Sequence, residues 1–129
     1  MHKLLILGLA TVWFTVAHGH HWVARAYDDA EPVTMEAVVK AFRFINPHPL
    51  ILVEVVVASE DGSNRTEEWT FEMDNRWELA QYYGFEPNTL QPGDRIVISG
   101  FLGVIKPNIL YVQTLVHPES GFSYEHHPR

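Results

Sequence analysis

Between residues 33 and 41 the odd positions carry Val33, Met35, Ala37, Val39 and Ala41, with Thr34, Glu36 and Lys40 between them. A period of two marks a strand with one buried face. The large residues then move to even positions, Phe42 and Phe44. One inserted residue produces such a change of phase, so the strand is expected to bulge and bend near Ala41. Asn46-Pro47-His48-Pro49 interrupts the pattern, and Leu50 to Val57 resumes as a β-branched run with only Glu54 charged, as a central strand would. Asp61-Gly62 supplies a hairpin turn, after which Trp69, Phe71 and Met73 alternate with Thr70, Glu72 and Asp74. Asn75 followed by Glu78 forms a capping-box signal, Trp77, Leu79 and Ala80 give a partial apolar face, and Gly84 fits a stop. This predicts one short helix from Arg76 to Tyr83. Pro92-Gly93-Asp94 feeds a fourth strand over Arg95 to Phe101, and Lys106-Pro107-Asn108 a fifth over Ile109 to Val116. The last stretch, 117–129, is polar apart from Phe122 and Tyr124, which leaves open a sixth strand or a simple fold-back.

Three antiparallel strands, a helix and two further strands suit a small OB-fold-like Greek-key barrel of five to six strands, all-β with one short helix. A plain antiparallel sheet with the helix on one face is the alternative. The expected organisation is a signal peptide over 1–19, an extended segment over 20–32, the barrel over 33–116 and a tail over 117–129. The leader reading rests on Met1-His2-Lys3, an apolar run of 14 residues from Leu4 to Ala17, and the small residues Ala17 and Gly19 flanking His18. That run is short of the roughly 20 residues a membrane span needs, so a periplasmic or secreted protein without stable membrane insertion is expected.

The chain's 129 residues allow a single core, and its 47% hydrophobic and 19% charged composition is that of a folded globule. Nine Lys and Arg against 16 Asp and Glu give a net charge of -7, which argues against a nucleic-acid partner because phosphate binding needs a basic face. There is no cysteine, which excludes disulfides, thiolate metal sites and thiol nucleophiles. No Gly-x-Ser-x-Gly, phosphate loop or His-Glu-x-x-His occurs. The chemistry left is that of imidazole, carboxylate and hydroxyl.

Four stretches carry a resemblance. They are His20-His21, Phe44-Ile45-Asn46-Pro47-His48, Gly84-Phe85, and Leu90-Gln91-Pro92-Gly93-Asp94-Arg95. In order and spacing they resemble a family of small exported bacterial proteins of unknown function, DUF6152. The likeness covers nearly the whole chain after the leader and implies a periplasmic barrel without implying an activity. The chain departs from the pattern at Trp22, where a small polar residue is usual, and at Ala80-Gln81-Tyr82-Tyr83, where the helix is usually arginine-rich.

Copper is the expected cofactor, if there is one. Cleavage after Gly19 would leave His20 first, able to chelate Cu(II) through its α-amine and Nδ1. A second imidazole from the body of the protein would complete a three-nitrogen brace, with His48 the candidate partner, on a loop expected to share its end with the β4–β5 loop; His21 is a further metal candidate. Cleavage after Ala17 would make His20 the third residue, and a square-planar amine, amide and imidazole site becomes available. Against ligation stands a structural role for His48, its ring bonded to a backbone carbonyl while Asn46 closes an Asx turn. Asn46, His48 and Trp22 are the candidate ligand-binding residues. His126 and His127 are expected to be solvated, and Glu67, Glu68, Glu72 and Asp74 to be surface charge around an amphipathic strand. Trp69 and Phe71 are expected in the core, with Trp22 or Tyr82 left to touch a ligand. The expected function is an exported, non-enzymatic module binding a small ligand or metal ion. A periplasmic protein-interaction or envelope-stress module is the alternative, and a copper redox enzyme with a histidine brace comes last.

Overall fold

The computed structural model describes Tyr27 and residues 31–127. The expected leader, His20, His21 and Trp22 lie outside the described residues. The elements are β1 Val33–Arg43, β2 Leu50–Ala58, β3 Asn64–Glu72, α1 Arg76–Tyr83, β4 Arg95–Leu102, β5 Ile109–His117 and β6 Phe122–Glu125. They form one sheet in the order β3-β2-β1-β4-β5-β6, which an additional parallel pairing of β3 with β5 closes on itself. This is the expected all-β barrel of OB-fold type with a single short helix between β3 and β4.

Closure requires β1 to serve two neighbours. Val33 to Val38 pair with β4, and Val38 to Arg43 pair with β2. The register passes from Val39↔Val53 directly to Ala41↔Leu52, so Lys40 is the inserted residue and the strand turns where the phase change placed the bend. A second irregularity falls between Ser99 and Gly100. Gly100 has no room for a side chain, because a Cβ there would lie 2.0 Å from the Tyr111 carbonyl oxygen.

The alternating apolar residues fill the barrel. Ile51, Phe71, Met73, Ile98, Leu110 and Leu115 have no exposed surface. Burying a side chain of this kind stabilises the fold by about 1.5–3 kcal/mol. Trp69 is only half-buried and packs against this core from its margin, whereas Phe71 is fully inside it.

In α1, Asn75 caps the N-terminus through Oδ1, which accepts from the Trp77 amide at 2.8 Å and the Glu78 amide at 3.4 Å. The reciprocal half of the expected capping box comes from a different residue. The Asn75 amide donates to Asp74 Oδ1 at 2.7 Å. Gly84 ends the helix at φ 72°, a conformation glycine adopts without strain. The expected apolar face is narrower than the sequence suggested: Leu79 is the buried residue of α1, and Trp77 is 59% exposed.

The open question of the tail resolves as a strand. β6 pairs with Thr114 to His117 of β5, and Phe122 and Tyr124 pack edge-on against Phe85, with ring centroids 4.9 and 5.5 Å away. The cooperative unit therefore continues to Glu125.

Gly100→Ala should cost about 3 kcal/mol, because the new methyl meets backbone rather than a movable side chain. Urea unfolding should show a lower midpoint at unchanged slope.

Candidate functional site

His48 lies in the β1–β2 loop, and its Nδ1 is 2.9 Å from the carbonyl oxygen of Met73, immediately beyond β3. A carbonyl only accepts, so Nδ1 carries the proton, and in the neutral ring Nε2 holds the free lone pair. The structural role foreseen for His48 is thus realised, and it presets the tautomer a metal-ligating histidine requires. Glu72 Oε1 stands 4.0 Å from the same Nδ1, a neighbouring charge rather than a close ion pair. Asn46 is exposed, and among the described residues its side chain makes no hydrogen bond, so the expected Asx turn is not formed. The β1–β2 and β4–β5 loops do not share an end either. β1 and β4 are antiparallel, so the loops that follow them leave from opposite ends of that pair.

Instead, the surroundings of His48 come from β3, β5, β6 and the segment before β1. Glu72 and Asp74 are two residues apart on the outward side of the chain, as strand alternation dictates. Neither is simply solvated. Tyr27 donates its hydroxyl to Glu72 Oε2 at 2.5 Å and packs its ring at a tilt of 47° against Tyr111, with centroids 5.4 Å apart. The negative charge of Asp74 acts on the Tyr111 phenol. Asp74 Oδ2 also lies 3.0 Å from His126 Nδ1, so His126, expected in solvent, is held against the barrel with a side chain only 15% exposed. The Tyr124 hydroxyl is 3.4 Å from the same His126 nitrogen. His127 is exposed, as expected.

The network has an electrostatic signature. The phenols of Tyr27, Tyr111 and Tyr124 are all held well above the ordinary tyrosine range. Burial is the main cause for each, reinforced by Glu72 at Tyr27 and by Asp74 at Tyr111 and Tyr124. They therefore stay protonated at neutral pH, and Tyr27 donates to the Glu72 carboxylate. Glu67, by contrast, is held below the usual carboxylate range by Arg65 and by the indole N–H of Trp69.

A second histidine, His117 at the end of β5, is 7% exposed. Its Nδ1 meets Ser120 Oγ at 2.7 Å. Its Nε2 has no hydrogen-bond partner among the described residues, and lies 3.7 Å from Asp94 Oδ1. Among the described residues, no three His, Asp or Glu side chains are grouped closely enough to hold a metal ion. Within that set, no helix is long and apolar enough to cross a membrane.

What the fold and these residues define is a small OB-fold-type barrel carrying a His, carboxylate and tyrosine network along its closing seam. A profile of DUF6152, described as a family of unknown function, matches residues 9–103, and the chain belongs to that family. No curated protein matches it. Among solved structures it is similar to the small single-stranded DNA-binding protein from Streptomyces coelicolor. Identity is 18%, the match covers 67% of this chain and 90% of that one, and the TM-score is 0.48.

Raised phenol pKa values favour the folded state below the ordinary value of 10.0, and this contribution is lost as pH rises past it, because unfolding frees the phenols to ionise. Ultraviolet titration should show Tyr27, Tyr111 and Tyr124 ionising together with alkaline unfolding. Smooth ionisation of all five tyrosines before any loss of structure would contradict the network.

Proposed function

We propose that this protein is an exported, non-enzymatic binding module that takes a metal ion, Cu(II) by the chemistry of its donors, at the barrel end carrying His48. The observation that carries this reading is the anchoring of Tyr27 to Glu72, next to His48. Tyr27 is seven positions beyond His20, a reach of at most about 25 Å. A mature N-terminus carrying His20 and His21 would then be long enough to reach the His48 ring. An α-amine and imidazole nitrogens form a donor set suited to Cu(II), and the Met73 carbonyl already holds the His48 ring in a fixed tautomer. The described residues supply one such nitrogen, and the others would come from the N-terminus. The net charge of -7 favours cations and disfavours a phosphate backbone as partner.

A protein-interaction role is the second reading. It is favoured by the exposed edge-to-face pair of Trp77 and Tyr82 on α1, with Trp77 59% and Tyr82 50% exposed. Capture of a partner through that pair would leave His48 without a role.

Mass spectrometry of the exported protein fixes its first residue, and Cu(II) titration followed by electron paramagnetic resonance reads the donor set. The expected result is a start at His18 or His20 and one stoichiometric site with nitrogen ligands. His48→Ala should weaken that site at least about tenfold if the mature chain starts at His20. A start beyond His21, or ill-defined copper uptake indifferent to His48, contradicts the metal reading and leaves the interaction reading standing.

A further inference from the structure

Away from His48, a groove of about 560 Å³ runs between the bulge of β1, β2, β3 and the β4–β5 loop, a volume typical of small-ligand sites. Its walls include Lys40, Glu68, Trp69, Thr70, Lys106 and Asn108. Each is brought there by a feature of the fold already described. Lys40 is the inserted residue of β1. Trp69 stands at the margin of the core, its indole N–H fixed on Glu67 Oε2 at 3.1 Å. Asn108 closes the β4–β5 loop at φ 55° and donates its Nδ2 to the Glu68 carbonyl at 3.1 Å.

The charges decide what such a groove can hold. Beyond Lys3, the sequence contains no lysines other than Lys40 and Lys106, and both line this groove. Lys40 is already neutralised by Glu54 at 2.7 Å. That leaves the ammonium of Lys106 and the carboxylate of Glu68, neither in an ion pair among the described residues, in one groove with the Trp69 indole. A polyanion would meet Glu68, and a cation would meet Lys106. A hydroxyl both donates and accepts, so it satisfies Lys106 and Glu68 alike, and an apolar ring face bearing such hydroxyls packs on an indole.

We infer that this groove is a carbohydrate site, taking a short neutral saccharide with one ring against Trp69 and its hydroxyls bonded to Lys106, Glu68 and Thr70. The site is independent of the metal reading, since it shares no residue with the surroundings of His48.

The test uses the ¹⁵N-labelled exported protein and follows the Trp69 indole resonance. The probes are a β-1,4-linked glucose tetramer, its N-acetylglucosamine counterpart, and a thymidine oligonucleotide of similar length. At least one neutral tetramer should move the Trp69 resonance saturably at or below about 1 mM, a range ordinary for weak ligands. Lys106→Ala and Glu68→Ala change surface residues, and each should weaken that binding about tenfold with the folded spectrum retained. Trp69→Phe should abolish most of it. No saturable shift with either tetramer up to about 10 mM, equal binding by the Lys106 and Glu68 variants, or a response to the oligonucleotide alone would each overturn the assignment.

Discussion

The barrel closes through a short parallel seam in which Thr70, Phe71 and Glu72 of β3 pair with Ile109, Leu110 and Tyr111 of β5. On its inner side, Phe71 and Leu110 meet inside the core, both without exposed surface. On its outer side the same pairing sets Glu72 beside Tyr111, and the network of Tyr27, Asp74 and His126 grows from that contact. Below the seam β3 runs on beside β2 alone, and the groove at Trp69 opens there. Beyond it β3 leaves for α1, and β6 takes the vacated edge of β5. Core, network and groove are therefore consequences of one closure, and the closure depends in turn on the bend at Lys40 that lets β1 pair with both β2 and β4.

The network joins residues on both sides of the six strands to the barrel. Tyr27 fastens the segment before β1, and His126 fastens the segment after β6, each to a carboxylate at the end of β3. Buried phenols would be costly without acceptors, and carboxylates near a protein core would be costly without donors. Tyr27 satisfies Glu72, and His126 lies against Asp74. Tyr27 is thereby held beside Glu72, the carboxylate nearest His48, which links the fold to the proposed metal site. The exposed Trp77 and Tyr82 stand outside this scheme and serve the competing interaction reading.

Much of the fold was legible in the sequence because it is written in short-range pattern. The period of two gave the strands, the phase shift at Phe42 gave the bulge, and Asn75 and Gly84 gave the ends of the helix. The site was less legible because it is assembled across the seam. Parity correctly put Glu72 and Asp74 on the outer face of β3, but an outer face is solvated only if nothing covers it. That Tyr27, Tyr111 and His126 cover this one follows from a β3–β5 pairing about 40 positions apart, which no local pattern encodes. The same reason hid the strand in the tail, where Phe122 and Tyr124 show alternation too brief to distinguish a strand from a fold-back. His48 was read correctly as bonded to a carbonyl, since a ring beside two prolines has few other partners, but Met73 could not have been named as that partner. The misplaced β4–β5 loop came from treating the barrel mouth as one end, when strand direction separates the two loops.

The account depends most directly on closure and on the fastening of Tyr27 beside it. Nuclear Overhauser spectroscopy of the protein reads both at once. Contacts between Phe71 and Leu110 across the seam, together with ring-to-ring contacts between Tyr27 and Tyr111, are predicted. An open sheet lacking the first set, or a Tyr27 ring with no contact to Tyr111, would contradict it.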